Sequence, residues 1–254
     1  MQVTFNNITL NYDRIGLNSQ NGPILLFLHE ALGSIKQWKD FPSRLCTELN
    51  LSGIIYERQG HGASSPLSSE RTAQYLHQYA LEELPAFLNA IQETRPLILI
   101  GHSDGGTIAL LFASAFPDRV AGIVTMAAHV INEPETVAGI APAISAYEAG
   151  KLSGLEKYHG GKTPNLFYAW ADIWRSDVFR NWNITKEISN SNAKGLFIQG
   201  TEDQYGTERQ IELISKHYIG EHTTQLLEKC GHHPHLEQTE IVLNVIKEWW
   251  NSGS

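Results

Sequence analysis

The segment Gly101-His102-Ser103-Asp104-Gly105-Gly106 stands between the apolar run 97–100 and the stretch 107–116, which is small or apolar almost throughout. A strand, then Gly-x-Ser-x-Gly, then a buried helix lifts a serine hydroxyl clear of a sheet on a tight turn. Gly101 and Gly105 remove side chains that would collide with the neighbouring strand and helix. The helix N-terminus favours negative charge that develops beside it. An ordinary strand-to-helix turn also uses glycine and serine, and it is the flanking strand and helix that favour a nucleophile. A serine hydroxyl reacts poorly until a base takes its proton, and the base needs an acid to orient it. With a serine on such a turn, the acid and then the histidine follow in chain order. The run 195–198 ends in Gln199-Gly200-Thr201-Glu202-Asp203, which places carboxylates on a turn after a strand. Asp203 is the expected acid, with Glu202 as the fallback and otherwise a solvated loop charge. The run 225–227 leads through Glu228-Lys229-Cys230 to Gly231-His232, and His232 is the expected base, with His233 and His235 as rivals. The oxyanion of an acyl transfer needs two backbone donors. Asp104, directly after the serine, is placed to give one, and Ala31, in His29-Glu30-Ala31-Leu32-Gly33-Ser34 after the run 24–28, the other.

These residues need a scaffold that brings strand ends together. Six short runs, 24–28, 53–56, 97–100, 121–127, 195–198 and 225–227, are near-continuously apolar rather than alternating. Strands covered on both faces read in this way, which predicts a mostly parallel sheet between two layers of helices. Residues 3–6 and 8–14 alternate around Asn6-Asn7 and predict an antiparallel hairpin. Apolar positions 76, 80, 84, 87, 88 and 91 have a helical period, with Pro85 starting a new helix or kinking one. Thr207-Glu208-Arg209-Gln210 has the form of a capping box, and Ile241, Val242, Val245, Ile246 and Trp249 form one face of a closing helix. Trp249-Trp250 is read as helix packing. Residues 131–192 hold no strong strand; they carry Pro134, Pro142, Pro164, several glycines and an aromatic stretch from Phe167 to Trp182. A segment of roughly 60 residues is too long for a plain loop. It predicts a helical insertion, with residues 1–130 and 193–254 as the core.

Composition narrows the chemistry. The chain has 254 residues, and 19 basic against 27 acidic side chains leave a net charge of −8. That balance disfavours phosphate backbones and anionic lipid, so neither nucleic acid nor membrane is an expected partner. A chain of this length can bury about three quarters of its unfolded surface, enough for a core without a metal or disulfide staple. With 18% charged and 42% hydrophobic residues it is not a disordered composition. Cys46 and Cys230 form no metal-spacing pair and no disulfide framework. The start lacks a basic segment followed by an apolar one, and no apolar run is long enough to span a bilayer. The expectation is a cytoplasmic protein, monomer or homodimer. The cluster Cys230-Gly231-His232-His233-Pro234-His235 invites a metal reading, but Pro234 breaks helical presentation and no second ligand cluster is present. No metal or cofactor is expected. Ser252-Gly253-Ser254 carries no reading.

Taken together, His29-Glu30-Ala31-Leu32-Gly33, Glu57-Arg58-Gln59-Gly60-His61-Gly62, Gly101-His102-Ser103-Asp104-Gly105-Gly106, Gly200-Thr201-Glu202-Asp203 and Gly231-His232 resemble the α/β-hydrolase family over about residues 3–250. The resemblance implies a mostly parallel eight-stranded sheet with a helical cap at about 131–192, Ser103 as nucleophile, Asp203 as acid and His232 as base. It implies a hydrolase but no particular substrate. This sequence departs from the family pattern in three places. Glu30 stands where the family usually has glycine, and its carboxylate either enters the site mouth or turns outward. Glu57 replaces the usual turn aspartate, and with Arg58 it is expected to brace the turn, as His29 braces its loop. The nucleophile is serine, where epoxide hydrolases and haloalkane dehalogenases of this fold use aspartate, which argues against both activities.

The expected reaction is cleavage of a small-molecule carboxylic ester through an acyl-enzyme. Glu30, His102, His159, Phe167, Trp170 and Trp174 are the pocket candidates, with Tyr168 beside them; cap packing is the alternative for each aromatic. The same machinery would serve a C–C bond, lactone or thioester hydrolase. Charged cap residues holding a carboxylate substrate would mark that alternative, with Arg175, Arg180 and Lys162 available. A non-catalytic binding protein on the same fold usually lacks a catalytic member, and here all three are present.

Overall fold

In the computed structural model, which describes residues 1–16 and 22–252, the chain folds around one eight-stranded sheet. Gly253 and Ser254 of the closing tripeptide lie outside the described residues. The strands are β1 (Gln2–Phe5), β2 (Ile8–Ile15), β3 (Ile24–Leu28), β4 (Gly53–Glu57), β5 (Leu97–His102), β6 (Val120–Met126), β7 (Lys194–Gly200) and β8 (His222–Leu227), in the order β1-β2-β4-β3-β5-β6-β7-β8. β1 and β2 form an antiparallel hairpin, and β2 pairs antiparallel with β4. From β4 to β8 all pairings are parallel.

Every side chain of β3 and β5 is buried, and successive residues feed two different cores. Ile24, Leu26, Leu28, Leu97 and Leu99 join a core on one face, which continues into the helix Asp104–Ala115 and the helices of residues 131–192. Leu25, Phe27, Ile98 and Ile100 join the other, closed by the helices Phe41–Leu49 and Thr239–Asn251. Alternation with both faces covered produces the continuous apolar runs in the sequence. β8 is longer than its apolar run because it is an edge strand, and its first residues, His222-Thr223-Thr224, are partly or fully exposed.

Three local readings are refined. Before Pro85 the chain takes a π-helical turn, Tyr79–Glu83, and the helix Leu84–Ala90 then starts with the proline in its first turn. A proline has no N–H to give and would clash with the carbonyl four residues back, and the wide turn accommodates both. Thr207 caps the helix Glu208–His217 through the Arg209 amide, but Gln210 does not return the bond. Its amide is fully buried and holds Glu133 and the backbone of Val130 and Ile131. In the closing helix, Ile241 is exposed, and Val242, Leu243, Ile246 and Trp249 make the buried face.

Between β6 and β7 the chain carries the helices Pro134–Glu148 and Thr163–Arg175 with shorter helical turns. Aromatic rings pack closely in this segment: Tyr147 stacks on Phe167 with ring centroids 4.0 Å apart, Phe179 stacks on Trp182 at 4.9 Å, and Trp174 meets Phe179 edge-on at 4.8 Å.

Candidate active site

Parallel strands end at one edge of the sheet, and the turns after β3, β5, β6, β7 and β8 converge there. Ser103 follows β5 in a conformation few side chains adopt, φ 54° and ψ −120°. Strain of this kind persists only where the surroundings over-determine it. Here they do: a Cβ on Gly105 would lie 1.9 Å from the Leu28 carbonyl oxygen, and one on Gly101 would lie 2.4 Å from the Gly105 carbonyl oxygen. The turn is therefore pressed between β3 and its own helix, and only glycine fits on either side of the serine.

Ser103 Oγ is 2.9 Å from His232 Nε2, and His232 Nδ1 is 2.8 and 2.9 Å from the two carboxylate oxygens of Asp203. All three side chains are nearly or fully buried. Asp203 is fixed in turn by the Tyr205 amide at 2.8 Å and by Gln199 Nε2 at 2.7 Å. Burial alone would lower the proton affinity of His232, but the adjacent Asp203 carboxylate and its hydrogen bond more than offset this, with Glu30 adding in the same sense; the net shift is upward. Burial pushes the Asp203 carboxyl up, and the histidine together with the backbone donors outweighs it, so the carboxyl sits below its usual range. The pair is thus poised to hold a proton on the imidazole while the carboxylate stays ionised. Glu202, by contrast, is exposed.

The amides of Ala31 and Asp104 have no acceptor among the described residues. Both residues line a cavity of about 230 Å³ together with Ser103 and His232. The loop that carries Ala31 is held from behind. The fully buried Arg58 donates to the carbonyls of His29 at 2.5 Å and Glu30 at 2.9 Å, and His29 Nε2 accepts the Arg58 amide. Glu57 accepts the amides of Ile35 and Ala63, and so ties this loop to the turn after β4.

Phe167, Trp170 and Trp174 line the Ser103 cavity, and so does Glu30, whose carboxylate accepts the Leu32 amide at 2.6 Å. Burial pushes the Glu30 carboxyl up against the pull of that amide. His102 and His159 lie elsewhere. His102 is buried behind the serine, with Nε2 2.7 Å from the His232 carbonyl oxygen. His159 is a strut: its Nδ1 accepts the Gly62 amide and its Nε2 donates to the Leu32 carbonyl at 2.8 Å. Lys162 donates to the carbonyls of His61, Gly62 and Ser64, Arg180 pairs with Asp177 on the surface, and Arg175 is exposed. Tyr168 is also turned outward. Of the rival histidines, His233 lines the cavity and His235 packs on the Trp38 ring at 4.6 Å. Burial lowers the proton affinity of both, to about 4 and about 3. Among the described residues no group of three His, Cys, Asp or Glu side chains could hold a metal ion, and Cys46 and Cys230 are free, buried thiols.

Two ring-bearing wall residues were not singled out by sequence reasoning, nor were Gln37, Thr136, Ile140, Ala143, Leu152 and Leu155. His129 is buried, with Nε2 2.9 Å from the Tyr205 carbonyl, and both line the cavity. Each follows a strand at the same edge as Ser103, so strand-end position is the signal that could have found them. Tyr75 also escaped notice. Its hydroxyl donates to Asp104 Oδ2 at 2.9 Å and accepts Trp174 Nε1 at 2.8 Å, which links the inserted helix to the turn beside the serine.

The Alpha/beta hydrolase family model matches residues 25–245. A 2-(acetamidomethylene)succinate hydrolase of Mesorhizobium japonicum is 24% identical over 167 residues, which are 65% of this chain and 56% of that protein. The match thus spans little more than half the length of that relative. Among solved structures, a membrane phospholipase A superposes with a TM-score of 0.81 at 22% identity, covering 99% of this chain and 85% of the other. The enol-lactonase from Burkholderia xenovorans LB400 superposes at 0.77 and 14%, covering 99% and 100%. At these identities the likeness to both is one of fold.

Proposed function

The chain belongs to the alpha/beta hydrolase family, and from that premise we propose that it is a serine hydrolase cleaving a small-molecule carboxylic ester through an acyl-enzyme. One observation carries the reading: the unbroken line Ser103 Oγ, His232 Nε2, His232 Nδ1, Asp203 carboxylate, with both links at 2.8–2.9 Å. In this reading Ser103 Oγ attacks the ester carbonyl carbon and its proton passes to His232 Nε2. The Ala31 and Asp104 amides receive the oxyanion, and Asp203 stabilises the imidazolium. The bond from the acyl carbon to the alkoxy oxygen then breaks, and His232 protonates the leaving alcohol. Water, deprotonated by the same histidine, attacks the acyl-enzyme and returns Ser103. These steps use only groups of the chain and water.

An ester is favoured over a carboxylate-bearing diketone by the cavity wall. Ile140, Ala143, Leu152, Leu155, Phe167 and Trp170 are apolar, and the cationic side chains of residues 131–192 are committed to carbonyls or turned to solvent. Lactone opening needs the same groups as ester cleavage and belongs in the same assay. The test is a panel of short-chain nitrophenyl ester, lactone, thioester and amide substrates, with wild type beside Ser103→Ala. The expected result is ester turnover that falls by at least about 10⁴-fold in the variant. Undiminished turnover in Ser103→Ala would sink the assignment.

A further inference from the structure

Among the described residues no lysine or arginine lines the cavity that holds Ser103, but two carboxylates do, Glu30 and Asp104. Each is held at one oxygen only, Glu30 Oε2 by the Leu32 amide at 2.6 Å and Asp104 Oδ2 by the Tyr75 hydroxyl at 2.9 Å. The remaining oxygens, Glu30 Oε1 and Asp104 Oδ1, have no partner among the described residues, and neither is sealed from solvent. Asp104 is only 2% exposed, and the cavity it lines is where that opening lies. His129, 3% exposed on the same wall, adds a third acceptor. Its Nε2 must carry the proton, because the Tyr205 carbonyl that it meets only accepts. Nδ1 is left bare, without a partner among the described residues and likewise unsealed. Burial lowers the proton affinity of this ring, which favours its neutral form.

A carboxylate taken out of water is stable only when it is paired or well hydrogen-bonded. No cation of the chain pairs with either of these among the described residues. Arg58 spends its guanidinium on the His29 and Glu30 carbonyls, and Arg71 lies over the Tyr75 ring, 4.6 Å from its centroid. The Trp170 indole and the Tyr205 hydroxyl are neutral, so apart from the catalytic imidazole the cavity carries negative charge alone. Acceptors without donors, negative charge without a cation and the aromatic wall of Phe167, Trp170 and Trp174 match one kind of group. An ammonium has N–H donors to give, a positive charge and an attraction to aromatic rings. Asp104 directly follows the reacting serine, which places that ammonium within a few bonds of the scissile carbonyl. We propose that the site selects an ester bearing a protonated amine near its carbonyl, with Asp104 Oδ1 accepting from the ammonium and Glu30 adding its charge. This rests on the serine-esterase reading and narrows its substrate class. The ammonium takes no part in bond making, and the acyl transfer is unchanged.

The experiment pairs esters that differ only in an ammonium against a methyl group. Ethyl 2-aminobutyrate against ethyl 2-methylbutyrate puts the charge on the acyl side, and 2-aminoethyl butyrate against propyl butyrate puts it on the alcohol side. kcat/KM is measured at about pH 7, where such amines are mainly protonated, with wild type, Asp104→Asn and Glu30→Gln. In at least one pair wild type should favour the ammonium ester by about tenfold or more. Asp104→Asn should cut that ratio by about tenfold and Glu30→Gln by about threefold, as loss of a charge-assisted hydrogen bond and of a nearby charge imply. A general loss of activity cancels within each ratio, and thermal melting verifies that each variant folds. If Asp104→Asn fails to fold, competitive inhibition of nitrophenyl ester turnover in wild type carries the test, with butylammonium expected to inhibit about tenfold more strongly than 1-butanol. Ratios near one in both pairs, ratios unmoved in the folded variants, or equal inhibition by the two compounds overturn the inference and leave the serine-esterase reading standing. No turnover of any of these esters, nor of the nitrophenyl ester, overturns that reading and the inference with it.

Discussion

The edge of the sheet that carries Ser103 and the inserted helices above it are held by different forces. At the edge, short directional bonds fix each side chain. His232 has partners on both ring nitrogens, Asp203 is bonded on both oxygens, and Arg58 holds two carbonyls of the Ala31 loop. In the insertion, ring packing dominates, stacked between Tyr147 and Phe167 and between Phe179 and Trp182, and edge-on where Trp174 meets Phe179 and Trp182. Polar ties join it to the core at several points: His159 to the Leu32 carbonyl, Lys162 to the turn after β4, Trp174 through Tyr75 to Asp104, Glu133 to Thr207 and Gln210, and Glu187 to His77. Directional bonds fix a geometry to within fractions of an ångström, which bond-making needs. Apolar packing fixes shape and volume and tolerates exchange, which suits selection of an acyl group. Changes at the edge should therefore strike kcat, and changes in the insertion KM.

The largest effect short of removing the serine is expected from Asp203→Asn. It keeps the size of the side chain but removes the charge that favours a protonated imidazole, and kcat/KM should fall by about 10³–10⁴-fold. The pH profile sharpens this. In the proposed mechanism His232 must be neutral to act as the base, and its proton affinity is raised above the ordinary 6.5. Wild-type kcat/KM should therefore rise through a single ionisation above pH 6.5, with activity lost as pH falls through it. In Asp203→Asn the residual activity should show that limb displaced to lower pH; an unmoved limb would detach Asp203 from His232.

In the insertion, Trp170→Ala enlarges the apolar chamber. It should raise KM for a butyrate ester by about three- to tenfold with kcat within about threefold. A dominant loss of kcat would erase the distinction between the two regions. The smallest effect is expected at the tie between them. Tyr75→Phe removes a bond to Asp104 and one to Trp174, and kcat should fall by about two- to fivefold. No change at all would mean that the insertion and the serine turn are mechanically independent.

The same contrast decides what the sequence made legible. The edge is written in local motifs because its constraints are local. Gly105 cannot be replaced where its Cβ position lies 1.9 Å from a carbonyl oxygen, and the apolar runs mark strands buried on both faces. The eight-stranded architecture follows from those runs and the opening hairpin. The insertion is written mostly in composition. That Phe167, Trp170 and Trp174 line the cavity while Tyr168 faces solvent depends on helix rotation against a partner surface, which no short window encodes. His159 and His102 illustrate the same limit, since a histidine near a site serves equally well as a strut bonded to carbonyls. The half-made capping box at Thr207 failed for a tertiary reason: buried Glu133 is a better partner for Gln210 than the helix's own start.

Labelling with a fluorophosphonate, with the adduct located by peptide mass spectrometry, tests whether Ser103 is the nucleophile. One stoichiometric adduct is expected, on Ser103, with loss of ester turnover in proportion to labelling. An adduct on another residue, or equal labelling of Ser103→Ala, would contradict it.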